Sequence, residues 1–224
     1  MKIIKPYVTV EPFDGVKLMR NIERYARVCY KSEDNITEDS YKKMLSALIK
    51  RGHESVIEHE KVTAIFVVDR GISHEIVRHR IASYSQESTR YCNYNNNKFG
   101  NEITFIEPFS FTQGASRHIC WDYWMISCAS AEAGYFELLD EGATPEEARS
   151  VLPNSLKTEI VITFNLREWR HFFKLRADKA AHPQMREVAI PLLHYFKGKM
   201  PELFNDIPYD LNFPAEHYAE IKEM

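Results

Sequence analysis

Val62-Thr63-Ala64-Ile65-Phe66-Val67-Val68 is the run on which the fold turns. β-branched and aromatic side chains suit a pleated, half-buried surface, so the run reads as a buried strand. Its counterpart is Lys157-Thr158-Glu159-Ile160-Val161-Ile162-Thr163-Phe164-Asn165-Leu166, the second clear strand. Upstream of the first, Val16–Tyr30 places Leu18, Ile22, Tyr25 and Val28/Cys29 at helical spacing. Thr37–Arg51 repeats the pattern through Tyr41, Met44, Leu45 and Leu48, with Thr37 as N-cap and Gly52 as stop. Tyr7–Phe13 alternates and predicts a strand ending at Pro12. Between the two strands, Gly71–Val77 predicts a short helix, Glu102–Glu107 a short strand, and Ser116–Leu139 a long helix. Thr144-Pro145-Glu146-Glu147 is a helix start: a hydroxyl cap, then Pro, then acids facing the dipole. Beyond the second strand, Arg167–Arg176 predicts a helix with Trp169, Phe172, Phe173 and Leu175 inward. Met185–Lys197 predicts another, and the tail from Pro201 reads as irregular or helical. This order lacks the strict alternation of a doubly wound sheet. The expected class is α+β: a small, largely antiparallel sheet covered by helices, in one domain spanning 1–224.

Composition narrows the function. The net charge is -3 and the pI about 6.3, so no global field attracts nucleic acid. No apolar run approaches a membrane span, and Met1–Asp14 lacks the apolar core of a signal peptide. A cytoplasmic protein is expected, its four cysteines (Cys29, Cys92, Cys120, Cys128) reduced and without CxxC spacing. Asn93–Asn97 is a turn-rich patch. There is no GxGxxG and no P-loop.

A basic segment, Arg78–Arg90, follows the Val62–Val68 strand. It holds three arginines, one histidine and five hydroxyls (Ser83, Tyr84, Ser85, Ser88, Thr89) against one carboxylate, Glu87. Packing it in a core is costly. Guanidinium forks bind phosphate oxygens in pairs, and hydroxyls fix orientation, so it reads as a loop that binds a small anion. A solvated loop of surface ion pairs is the plainer reading for any one arginine. His53-Glu54-Ser55-Val56-Ile57-Glu58-His59 invites zinc, but a helical site needs histidines four apart, and these are six apart. No metal is expected; His53, Ser55 and Glu58 either share a polar pocket or cap a helix. Ser88 lacks a Gly-x-Ser-x-Gly elbow and reads as a donor to an anion rather than a nucleophile. Cys92 reads as structural. A third cluster comprises Arg149, Asn165, Arg167, His171, Arg176 and Asp178, with Arg170 read as a solvated helix face. Strand ends and helix starts of this kind are where ligands meet backbone N–H groups.

Together these stretches resemble the flavin-dependent thymidylate synthase family. Its signature, Arg-His-Arg, seven residues, then Ser and Arg two further on, is complete in Arg78-His79-Arg80, Ser88 and Arg90. Agreement extends to Ala26–Tyr30, Gly52–Ser55 with Glu58-His59, Ala148-Arg149 with Leu152-Pro153, Asn165 with Arg167, and Leu175–Asp178. The resemblance implies reductive methylation of dUMP to dTMP, with methylenetetrahydrofolate as carbon donor and NADPH as reductant through FAD. It also implies a homotetramer whose flavins are each held by several subunits. By the same resemblance Ser55, Glu58, Arg78, His79, Arg80, Ile81, Asn165, Arg167 and His171 contact FAD. Glu75, Arg78, Gln86, Glu87, Ser88, Thr89, Arg90, Arg149 and Arg176 surround dUMP, with Arg176 the catalytic guanidinium that favours an ionised uracil N3. His171 stands where some members carry asparagine, Gln86 where some carry glutamate, and Glu75 where some carry glutamine; Glu75 is therefore expected to face the sugar hydroxyl or the protein. The rival reading is a non-catalytic phosphate- or nucleic-acid-binding module.

Overall fold

The structure is a computed structural model and describes residues 1–94, 100–111 and 117–224. Part of the Asn93–Asn97 patch and the expected helix start at Ser116 lie outside those residues. In chain order the strands and helices are β1 (Lys2–Ile4), β2 (Tyr7–Val10), α1 (Gly15–Val28), α2 (Ser40–Arg51) and β3 (Lys61–Asp69). There follow α3 (Arg70–Ile76), β4 (Ala82–Gln86), β5 (Thr104–Ile106), α4 (His118–Asp140) and α5 (Pro145–Ala148). The chain closes with β6 (Lys157–Asn165), α6 (Leu166–Arg176), α7 (Pro183–Lys199), α8 (Pro201–Phe204) and β7 (Glu220–Glu223).

One sheet has the order β4-β6-β3-β2-β7, and β1 pairs with β5 in a second. The two strands anticipated from sequence are neighbours and antiparallel: Leu166 N–H donates to Glu60 O and Arg70 N–H to Leu156 O. The α+β class holds, and the five-stranded sheet is mixed rather than purely antiparallel. β1 and β5 run parallel, Lys2 opposite Thr104 and Ile4 opposite Ile106. Strand direction is set by connections, and these partners are joined by long crossovers rather than tight turns. The tail carries a strand, β7, that its composition did not announce. The Arg78–Arg90 segment is not all loop either: Ala82–Gln86 forms edge strand β4, its residues alternating between half-buried and exposed.

The chain forms two compact units. The first comprises Met1–Tyr7, Phe66–Arg78 and Ser85–Ile160. Its core gathers Ile103, Phe105, Cys128, Tyr135 and Leu156, with Cys92 and Trp124 packed against it. Burial pushes the Cys128 thiol up to about 11, and Cys92 serves as packing, as expected. α5 starts as its sequence dictates: Pro145 follows Thr144, whose N–H donates to the Glu147 carboxylate at 2.8 Å.

The second unit comprises Val8–Ile65, His79–Tyr84 and Val161–Met224. Its core is aromatic: Trp169, Phe172 and Phe173 of α6 are fully buried with Phe164, Phe196 and Phe204. The Trp169 indole N–H donates to Val62 O at 3.0 Å. Leu175, expected inward, is 50% exposed, because a period of 3.6 residues turns position 175 away from the face of 169, 172 and 173. α1 is capped by Asp14, which accepts from Lys17 N–H at 3.0 Å. α2 starts at Ser40 rather than after Thr37, whose N–H is taken by Ser40 Oγ at 2.8 Å. Gly52, with φ 71°, ends α2 in the left-handed conformation that favours glycine. At Gly15 a Cβ would strike the Lys199 carbonyl, so this helix start needs a residue without a side chain.

Candidate functional site

Among the described residues, each unit contains a cavity lined by residue types that the sequence singles out. In the first unit the cavity has a volume of about 450 Å³, and its lining includes Arg70, His74, Thr89, Glu146, Arg149 and Asn154. Asp69 caps α3 by accepting from Ile72 N–H at 2.8 Å, which starts the helix at Arg70. Arg70 and His74 then stand four residues apart on one helical face. Arg149 leaves the end of α5, and its Nη1–H donates to Thr89 Oγ1 at 3.1 Å. Thr89 is buried, so the contact fixes the guanidinium against the wall. Arg90 Nε–H reaches Glu146 Oε2 at 3.1 Å, with both side chains half-exposed. Two guanidinium groups, a histidine and a buried hydroxyl, with the Glu146 carboxylate beside them, give this cavity donors of the kind that suit an oxyanion.

Other residues of the same stretch brace the wall instead of lining it. Gln86 Nε2–H donates to Ser73 Oγ at 2.9 Å and to Thr158 Oγ1 at 3.1 Å. Glu87 pairs with Lys157 at 3.0 Å and accepts from the Tyr94 hydroxyl at 3.2 Å. Burial, with the charge of Glu87 beside it, drives the Tyr94 phenol upward, so it stays a donor. Ser88 Oγ accepts from Arg90 N–H at 3.3 Å, a turn contact. Glu75 and Arg78 do not line this cavity. Arg70, His74 and Asn154 were missed from sequence, although the Arg70/His74 spacing on a short helix was readable.

The second unit's cavity has a volume of about 390 Å³, and its lining includes Glu58, Ile81, Asn165, Arg167, Glu168 and His171. Asn165 ends β6 and caps α6, its Oδ1 accepting from Glu168 N–H at 2.8 Å. Arg167, His171 and Lys174 follow at i, i+4 and i+7 on one face of α6. Glu54 neutralises this face: it lies 3.1 Å from Arg170 and 3.8 Å from both Arg167 and Lys174. Glu58 pairs with Arg167. Arg170, expected on a solvated face, is instead buried, its Nη2 pairing with Asp206 at 2.7 Å. Of the expected polar pocket, Glu58 is present and His53 and Ser55 are not. Arg80 also lies outside the lining.

His79 sits behind this cavity. It is buried, walled by Phe164 and Phe172, with the His171 ring 5.4 Å away edge-on. Its Nδ1 meets Glu168 Oε1 at 2.7 Å, and its Nε2 meets Arg176 Nε at 3.2 Å. The Tyr84 hydroxyl donates to the His79 carbonyl. Burial holds the imidazole below its ordinary value; Arg176 and His171 push the same way, and Glu168 opposes them. His79, Glu168 and His171 bring potential metal-binding atoms within 4.8 Å of one another. Both nitrogens of His79 are already engaged and one faces a guanidinium, so the cluster is better suited to hydrogen bonding than to a cation.

Three comparisons place the chain among known proteins. A family model described as "Thymidylate synthase complementing protein" matches residues 17–202. A protein of Geobacter sulfurreducens named "Flavin-dependent thymidylate synthase" is 37% identical over 213 residues, covering 92% of this chain and 86% of its own. One of the same name from Pyrococcus furiosus is 35% identical over 186 residues, covering 83% and 74%. Among solved structures, a UMP/dUMP methylase from Streptomyces cacaoi bound with 5-Br dUMP superposes with a TM-score of 0.76 at 19% identity, covering 92% of this chain and 96% of its own. That last likeness is one of fold.

Proposed function

Because the chain belongs to the flavin-dependent thymidylate synthase family, we propose that it converts dUMP to dTMP by reductive methylation. Methylenetetrahydrofolate would give the carbon and NADPH the reducing equivalents through FAD. The observation that carries this reading is the contact between Arg149 and Thr89, which joins segments 60 residues apart on the wall of a cation-rich cavity. A uridylate phosphate is a dianion, and Arg149, Arg70 and Arg90 with the Thr89 hydroxyl are groups suited to bind it. The Streptomyces neighbour's bound 5-Br dUMP is consistent with a nucleotide ligand on this fold. Ser88 and Gln86 would shape the wall, and Glu87, tied to Lys157, would hold the segment rather than touch phosphate.

The second unit's cavity suits part of a flavin dinucleotide. Arg167 and Lys174 would supply cations for a pyrophosphate by exchanging their carboxylate partners Glu58 and Glu54 for it, Asn165 would supply an amide, and Ile81 an exposed apolar surface. Glu58, Ser55, Arg78, His79, Arg80 and His171 complete the proposed set. When bound, FAD would supply the redox chemistry, and the protein would orient it and shape its electrostatics. Arg176 is proposed as the catalytic guanidinium, lowering the cost of negative charge on the uracil ring. A homotetramer would complete each flavin site. In its support, α4 leaves Ile119, Tyr123 and Ile126 exposed at helical spacing. Four free thiols fit a reducing, cytoplasmic setting. Among the described residues no helix is long and apolar enough to cross a membrane.

The test is direct. Purified protein should be yellow, lose its flavin absorbance with NADPH, and form dTMP when dUMP and methylenetetrahydrofolate are added. A colourless protein that binds RNA in a salt-sensitive way would replace this reading with the binding module.

A further inference from the structure

His79 is the centre of a buried chain of polar contacts that runs from Glu168 to the Arg176 guanidinium. An arginine Nε carries a hydrogen and no lone pair, so Arg176 Nε can only donate. At 3.2 Å from His79 Nε2 it requires that nitrogen to be the acceptor. The ring proton therefore stands on Nδ1, which faces Glu168 Oε1 at 2.7 Å. A carboxylate there accepts it. The tautomer follows from the donor inventory alone.

We infer that Glu168 is a positioning residue, which fixes the Nδ1–H tautomer of His79 and through it the orientation of the Arg176 guanidinium. The inference rests on the reading that Arg176 acts on the nucleotide base. Glu168 is well placed for this. It is buried, at 6% exposure, and sits in the first turn of α6, where the helix dipole favours a negative charge. Its backbone N–H is held by the Asn165 cap, so the side chain starts from a fixed point. The imidazole has little freedom: Phe164 and Phe172 wall the ring, and Tyr84 holds the carbonyl. The other ionisable groups facing the ring are Arg176 and His171 of α6, both opposed to its protonation. A proton on Nε2 would place N–H against N–H and release Arg176. The hard part of such a site is alignment, and misplacing a catalytic group by about 1 Å can lower turnover about a hundredfold.

The holoenzyme with dUMP and folate supplies the test, comparing wild type, Glu168→Gln and Glu168→Ala over pH. Gln keeps an acceptor for Nδ1–H, so its plateau kcat should stay within about threefold of wild type, whereas Ala should lose about tenfold or more. The KM for dUMP should move less than kcat in both, because the group acts through orientation. Loss of the carboxylate charge lowers the proton affinity of His79, so the acid limb of the Gln profile should move to lower pH. Equal losses in Gln and Ala with an unmoved limb, or no change in either, would overturn the inference. Nitrogen-15 spectra of labelled histidine, taken without substrates, separate this from the functional reading. They should show an Nδ1-protonated His79 in wild type and a mixture with the Nε2-protonated ring in Glu168→Ala, where the Arg176 Nε contact alone is left to favour the first. An Nε2-protonated ring in wild type overturns the inference even if dTMP is made. If wild type makes no dTMP, the functional reading falls, and the inference about reaction geometry falls with it, whatever the tautomer.

Discussion

Arg90 donates from Nε to Glu146 Oε2 at 3.1 Å, so a guanidinium proposed to meet phosphate is held by the carboxylate at the start of α5. Both side chains are half-exposed, and a pair of this kind contributes about 0–1 kcal/mol. A charge-assisted bond to a dianion contributes more, so dUMP should displace Glu146. Glu146→Gln is expected to tighten dUMP binding about two- to fivefold, and Arg90→Ala to weaken it about tenfold or more. Titration calorimetry with dUMP measures both. Equal affinity in wild type and Arg90→Ala would remove Arg90 from the phosphate site.

Arg170 is a deeply buried charge of the second unit, its side chain 1% exposed between Glu54 at 3.1 Å and Asp206 at 2.7 Å, with a further bond to Leu203 O. Truncation removes both the packing of its stem and the partner of two acids. Arg170→Ala should cost about 3 kcal/mol of stability, while Arg170→Met, which refills the volume, should cost less. Urea unfolding followed by tryptophan fluorescence gives both values. A wild-type midpoint for Arg170→Ala would show the network to be idle.

The same network sets a pH dependence. Burial works to raise the Asp206 carboxyl, but its bonds to Arg170 outweigh that and hold it below its ordinary value. A carboxyl depressed in the folded state contributes stability that is fully present above its unfolded pKa, about 3.9, and lost as pH falls through the lower folded value. Asp206 is 44% exposed on its side chain, so solvent screening trims the effect to under about 1 kcal/mol. Asp206→Asn should flatten the stability curve below about pH 4 and leave it parallel to wild type above about pH 5. A curve of unchanged slope in acid would separate Asp206 from the pairing.

How much was legible depended on whether a feature was local. Val62–Val68 and Lys157–Leu166 announced themselves because burial in a sheet centre demands apolar, β-branched side chains over a run. Thr144 and Gly52 were readable because caps use particular residue types. The mixed sheet was not, since pairing direction belongs to connections and not to either strand's residues. Ala82–Gln86 hid in a segment chosen for its charge density, although its alternation was present. Arg170 was read as solvated because a sequence places a charge on a helix but does not say that Asp206 and Glu54 will bracket it. At the candidate sites, Arg149, Thr89, Asn165 and Arg167 came from the family resemblance. Glu168 and Lys174 required knowing which face of α6 the cavity adjoins.

Ser88 tests the absence of a protein nucleophile. Its Oγ accepts from Arg90 N–H at 3.3 Å, so its role is to shape the turn that carries Arg90. Ser88→Ala should retain activity, with kcat lowered by about tenfold at most and dUMP affinity reduced modestly by turn loosening. Single-turnover assays with bound flavin check this. A completely inactive variant that still binds dUMP and FAD would revive a covalent role for the hydroxyl.

Arg176 should behave differently from Arg90, and the contrast decides between binding and catalysis. Its Nε is committed to His79 at 3.2 Å, which makes the guanidinium a fixed group rather than a mobile counter-ion. Stabilising negative charge that grows on the uracil ring is worth most in the transition state, a few kcal/mol in comparable sites. Arg176→Ala should therefore lower kcat by about a hundredfold or more while dUMP affinity falls by less. Arg176→Lys keeps the charge but loses the planar fork and the Nε contact, and should recover only part of the rate. Rates measured beside flavin content and dUMP affinity in each variant distinguish the cases. If affinity and kcat/KM fall by the same factor with kcat unchanged, Arg176 binds the nucleotide uniformly, and some other group must carry the charge on the ring.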